Sequence, residues 1–179
     1  MNHQDFVSRL RNVPLDKTVY ELAGMNEKEI DANNKRFLCL KKANLSTDYN
    51  LGDDEIVRLV SEFDLSNIEI GMITFSKSIV KREDYLLFGK FETDDLGINT
   101  ISKEIIMLEQ FSVHILYPAA KNSLTFLDSI IFIASFLEKG GIDFNLYENE
   151  EANLVVAEEA SEIAGGEKYF YFYRMMLGF

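Results

Sequence analysis

The stretch Leu124 to Leu137 carries ten hydrophobic residues in fourteen, interrupted only by Thr125, Asp128, Ser129 and Ser135. A helix that is apolar nearly all round has no face to offer water, so other elements must enclose it. It is also short of the ~20 residues needed to span a bilayer. It therefore reads as a core helix around which the rest of the chain closes. Its predicted span is about Ser123 to Lys139, opened by the capping candidates Asn122 and Ser123 and stopped at Gly140-Gly141, where glycine tolerates a left-handed backbone. A length of 179 residues suits one domain with one sizeable core. With 47% hydrophobic and 27% charged residues, two prolines and ten glycines, the composition is globular, neither disordered nor fibrous.

Two further helices are legible. Ile56, Leu59, Val60 and Phe63 fall at helical spacing after the start signal Gly52-Asp53-Asp54, which predicts a helix over Asp53–Phe63. Glu150 to Ala164 begins with acids at the positive helix end, stops at Gly165-Gly166, and places Val156, Ala160 and Ile163 on one face opposite an acidic one. Between them the chain changes character. Short β-branched and aromatic runs predict strands near Ile68–Phe75, Tyr85–Phe91, Gly97–Ile101, Glu104–Leu108 and Ser112–Leu116, the last ending before Pro118. Nearer the start, Asp5–Arg11 and Asn26–Asp31 are candidate short helices, the second with Asn26 and Glu29 placed as a capping box, followed by a strand at Lys35–Lys41. For Tyr169-Phe170-Tyr171-Phe172-Tyr173, a strand separates tyrosines from phenylalanines whereas a helix buries some of each; the spacing leaves both open. The chain thus reads as one α+β domain, 1–179, with a curved, mainly antiparallel sheet of five or six strands against helices.

Recognisable catalytic chemistry is sparse. Two histidines, His3 and His114, and the single Cys39 cannot close a zinc site. Asp143-x-Asn145-x-Tyr147 opens like a calcium loop, but Glu148 stands where glycine is needed and Leu154 where the bidentate glutamate is needed. Gly89-Lys90 is followed by Phe91 and lacks a phosphate-loop frame. His114 and Ser112 lack a nucleophile elbow and a partner acid, so His114 reads as structural. Glu92, Asp94 and Asp95 contain a possible hydrolase carboxylate pair, but Asp-Asp before Leu-Gly is ordinary turn chemistry. No metal, cofactor or catalytic residue is expected. Cys39 sits in Phe37-Leu38-Cys39-Leu40 as a buried thiol suited to a reducing cytoplasm, and the first twenty residues hold no secretion signal, so the N-terminus is expected to be retained.

Charge is the more informative feature. Asp53 to Glu69 holds six acids against Arg58 alone, and Glu138 to Glu162 holds eight against Lys139 alone. Together these two stretches account for the whole net charge of −12. Such a field opposes nucleic-acid phosphates and anionic lipid, so neither direct nucleic-acid binding nor membrane association is expected. It attracts a basic protein partner instead.

The segments Glu83-Asp84-Tyr85-Leu86-Leu87-Phe88-Gly89, Asp94-Asp95-Leu96-Gly97-Ile98-Asn99 and Ile105-Ile106-Met107-Leu108 resemble the SUKH superfamily. That pattern is a hydrophobic strand ending in Phe-Gly, a polar turn, a strand closing on Ile-Asp, and a short strand after a hairpin. Asn99 stands here in place of the aspartate. Val113-His114-Ile115-Leu116 and Asn122-Ser123-Leu124-Thr125-Phe126-Leu127 continue the resemblance, which covers roughly residues 83–140, with an echo in Ala157–Gly178. Leu45-Ser46-Thr47-Asp48-Tyr49 stands where the family has leucine-proline-x-aspartate-tyrosine. The superfamily includes fungal regulators of glucan synthesis and bacterial immunity proteins that neutralise polymorphic toxins, often nucleases or deaminases. The resemblance implies a non-enzymatic cytoplasmic binding protein whose partner is a cognate, basic toxin domain. Asp53, Asp54, Glu55, Glu92, Asp94, Asp95, Glu150 and Glu151 are the candidate partner-binding residues. Two rivals are a regulatory adaptor binding endogenous proteins and a hydrolase built on Asp94 and Asp95.

Overall fold

The computed structural model describes residues 1–42 and 53–178; Leu45–Tyr49 lies outside them. The chain opens with α1 (His3–Leu10), α2 (Lys17–Leu22) and α3 (Glu27–Lys35). Asn2, Asp16 and Asn26 cap their first turns, and Asn26 and Glu29 complete the predicted capping box. A two-residue strand β1 (Leu40–Lys41) pairs antiparallel with β2 (Phe63–Asp64), which directly follows α4 (Glu55–Glu62). The predicted strand at Lys35–Lys41 is thus mostly wrong: α3 continues through Lys35, and only its last two residues are extended.

Six strands then form one antiparallel meander in chain order: β3 (Glu69–Ile70), β4 (Ile73–Arg82), β5 (Tyr85–Phe91), β6 (Asp94–Asn99), β7 (Ile105–Leu108) and β8 (Ile115–Ala120). The expected single strand at Ile68–Phe75 is split because Gly71 adopts φ +57° and reverses the chain; a Cβ there would press on Leu137 at 3.2 Å. Pro118 lies inside β8, not beyond a strand ending at Leu116. β8 is the last strand of the sheet, and an edge tolerates a residue with no N–H. Register shifts in the β4–β5, β5–β6 and β7–β8 pairings mark bulges, which bend and twist strands, and the sheet is curled. Asn99 accepts from the backbone N–H groups of Ile101 and Ser102, a turn role that an aspartate fills equally.

The remaining helices are α5 (Ser123–Gly140), α6 (Phe144–Tyr147) and α7 (Glu150–Ala164), then a 3-10 turn (Glu167–Tyr169) leading into α8 (Phe170–Met176). The aromatic run left open by its spacing is therefore helical, burying Tyr169, Phe172 and Tyr173 and exposing Tyr171. One sheet face carries Leu86, Phe88, Ile98, Ile105 and Met107 into a core shared with α1, α4, α5 and α8. A chain of ring contacts crosses that core from Phe6 through Phe75, Phe88 and Phe126 to Phe172. On the other face Leu87, Ile106 and Leu108 make a small cluster with Tyr85 packed on it. The whole is a single-domain α+β fold. Among the described residues, no helix is long and apolar enough to cross a membrane.

Candidate functional site

The second acidic stretch places its charge mainly on the exposed side of α7. Asn149 caps α7 by accepting from the Ala152 N–H, and Glu150 and Glu151 occupy its first turn, where negative charge complements the helix dipole. Asn153, Ala157, Ala160, Ser161 and Ala164 are buried, and the small side chains let α7 lie close on α5: Ser129 Oγ of α5 donates to the carbonyl of Ala160 at 3.1 Å. Ile163, expected on the buried stripe, is instead exposed, because the alanines and Ser161 define the inner face. The outer face carries Glu150, Glu151, Glu158, Glu159 and Glu162, all exposed, interleaved with Leu154, Val155 and Ile163 at 37–47% exposure. α7 contains no basic residue.

At the start of α4 the predicted acids are largely committed to the fold. Asp54 accepts from the N–H groups of Ile56 and Val57, and both its oxygens accept from Ser123 Oγ, at 2.8 and 2.9 Å, joining the starts of α4 and α5. Glu55 Oε2 accepts from the His3 N–H at 2.8 Å and lies 2.6 Å from His3 Nδ1. Burial pulls the Glu55 pKa upward, but the His3 bonds and charge outweigh it and hold the carboxyl below its ordinary value. Asp53 is exposed and pairs with Arg58 at 2.5 Å. These three acids line an open groove of about 540 Å³ with Lys103, Asn122, Ser123 and Leu124.

Asp94 and Asp95 do not form the expected turn. The turn is Glu92–Thr93, and the two aspartates begin β6. Asp94 accepts from the Gln110 N–H at 3.1 Å; Asp95 is buried, 2.7 Å from Arg82 Nη1 and 3.4 Å from Lys90 Nζ. Successive strand residues point to opposite faces, so the two carboxylates do not converge as a hydrolase pair would. Glu92 sits exposed at φ +52°. The eight candidate acids thus lie at three places, and Glu92, Glu150 and Glu151 stay exposed with no ion pair among the described residues.

Ser112 and His114 both fall in the loop before β8, where Ser112 Oγ accepts from the backbone N–H of exposed His114. The buried histidine is His3, between Glu55 and Glu62. Among the described residues no three His, Cys, Asp or Glu side chains converge as a metal site would require.

One group escapes sequence reasoning altogether. Glu138, counted with the acidic exterior, is only 9% exposed: Tyr20 OH and Asn33 Nδ2 both donate to its Oε1. Tyr20 OH in turn accepts from the Leu15 N–H at 2.7 Å. Burial, then the bond to Glu138, push the Tyr20 phenol up to about 12, so it remains a donor at neutral pH. A recess of about 190 Å³ lies against this group. The signal was an acid near the end of a helix that is apolar nearly all round, but its partners lie more than a hundred residues away. Comparison of the chain with protein-family models, curated proteins and solved structures finds no match.

Proposed function

We propose that the protein is a cytoplasmic binding protein of SUKH type that neutralises a basic cognate toxin domain by direct contact through α7. The observation that carries this is the outer face of α7, with five exposed glutamates and three partly exposed aliphatic side chains and no base. Glutamates of one sign steer an oppositely charged partner, raising on-rates by about 10–10³, while Leu154, Val155 and Ile163 supply apolar area for the docked state. The cytoplasmic assignment draws on Cys39, whose burial pushes its thiol up to about 11 against a smaller opposing pull from Arg11. Such a thiol is inert in a reducing compartment.

The test pairs this chain with the terminal domain of a modular secreted protein encoded beside it. Co-expression restores growth in cells making that domain, and the Glu151→Lys, Glu158→Lys, Glu159→Lys triple variant slows association about tenfold or more with a smaller change in dissociation. Rescue by the triple variant at wild-type association rate removes α7 from the proposal; no rescue by the wild-type chain removes the toxin.

A further inference from the structure

The recess beside Glu138 holds an acid with one carboxylate oxygen uncommitted. Glu138 is nine-tenths buried at the end of α5, and its Oε1 takes both hydrogen bonds described above. Among the described residues no hydrogen bond to its Oε2 is found and no lysine or arginine stands within 4 Å of either oxygen, and Oε2 is not one of the fully enclosed unpartnered atoms, so it is open to solvent. A buried carboxylate is costly unless a cation or further donors meet it. The Tyr20 hydroxyl has one proton, already given to Oε1. Oε2 is therefore accessible to a donor from outside the chain.

The recess has the shape for one. It occupies about 190 Å³, some six times the ~30 Å³ share of one liquid water. Phe37, Ile70, Leu137 and Ile142 give it apolar walls, and exposed Glu69 stands among its lining residues as a second acid. Arg36 also lines it, with its guanidinium 5.9 Å over the Phe37 ring and 3.4 Å from Asn33 Oδ1, and makes no ion pair with Glu138. We propose that this recess binds a primary alkylammonium group, with the charged head on Glu138 Oε2 and a short aliphatic stem against Leu137, Ile70 and Ile142. An ammonium suits it because it is a compact point charge with three donors. The site is independent of the α7 surface, so either can fail alone.

The experiment follows the methyl NMR signals of Leu137, Ile70 and Ile142 in the full chain on titration with n-butylammonium, with n-butanol as the neutral control. Saturable shifts in the millimolar range are expected with the amine. Binding weakens about tenfold or more in Glu138→Gln and is absent with n-butanol, while Arg36→Gln strengthens it by removing a like charge. Should Glu138→Gln not fold, Glu69→Lys at the exposed rim carries the same test and weakens binding severalfold. Nα-acetyl-lysine methylamide distinguishes the sources of the ammonium: tighter binding than n-butylammonium assigns the recess to a protein lysine, weaker binding to a free amine. The proposal is overturned if the shifts do not saturate, if n-butanol matches the amine, or if affinity survives both acid substitutions; water then fills the recess.

Discussion

Gly89 shows how a single hydrogen can set a strand pairing. A Cβ at this position would run into the Thr74 carbonyl oxygen across the β4–β5 ladder. Gly89→Ala must therefore pry the two strands apart, and a loss of about 3 kcal/mol in a urea titration is expected, in the range of overpacked backbone contacts. Tyr20→Phe acts through polarity. It strips a donor from Glu138 and an acceptor from the Leu15 N–H, and unsatisfied buried groups of this kind cost about 2–3 kcal/mol. Glu55 adds a pH signature. Its pKa is depressed in the folded state, so its stabilisation is complete above the ordinary value of 4.5 and is lost as pH falls through the lower folded value. Glu55→Gln should accordingly be destabilised at pH 7 and show a flatter decline in stability below about pH 4.5 than wild type; parallel acid limbs for the two proteins would contradict the His3–Glu55 pairing.

Elements were legible where local chemistry and tertiary demand agree. The bounds of α7 could be read directly because acids at its start and Gly165-Gly166 at its end satisfy a helix whatever surrounds it. β5 and the α3 capping box were legible for the same reason. The backbone conformation at the hairpin tips was not. Glu83, Glu92, Lys103 and Phe111 have φ of +50 to +66°, one in each of the four successive turns from β4 to β8, at positions where glycine or asparagine would have announced a turn. There the register of the flanking strands dictates the backbone and the residue bears the strain. Glu92→Gly should relieve more strain than it adds chain entropy, raising the unfolding midpoint by about 2–4 °C in a calorimetric scan. The candidate site divided along the same line. The acidic outer face of α7 followed from local sequence, whereas the structural employment of Asp54, Asp95 and Glu138 depends on Ser123, Arg82 and Tyr20, partners that no local pattern brings near.

For the whole molecule, the question is whether a partner responds to total charge or to where the charge sits. Both ideas predict that added salt slows association, since exposed charges are screened beyond ~8 Å at physiological ionic strength. They separate when net charge is held equal. Reversing Glu151, Glu158 and Glu159 to lysine moves the net charge from −12 to −6, as does reversing Asp31, Glu83 and Asp84, which are exposed and outside α7. If the molecule acts as a uniform anion, both triple variants lose the same fraction of their association rate and of its salt dependence. If α7 is the docking face, the charges that lie within a Debye length of the partner in the encounter complex are those of the helix, and the first variant loses about tenfold where the second loses less than about twofold. Stopped-flow association across a salt series reads the difference. The unequal outcome is expected, because the glutamates of α7 surround the Leu154, Val155 and Ile163 side chains that must be covered in the final complex, so steering and docking use one surface.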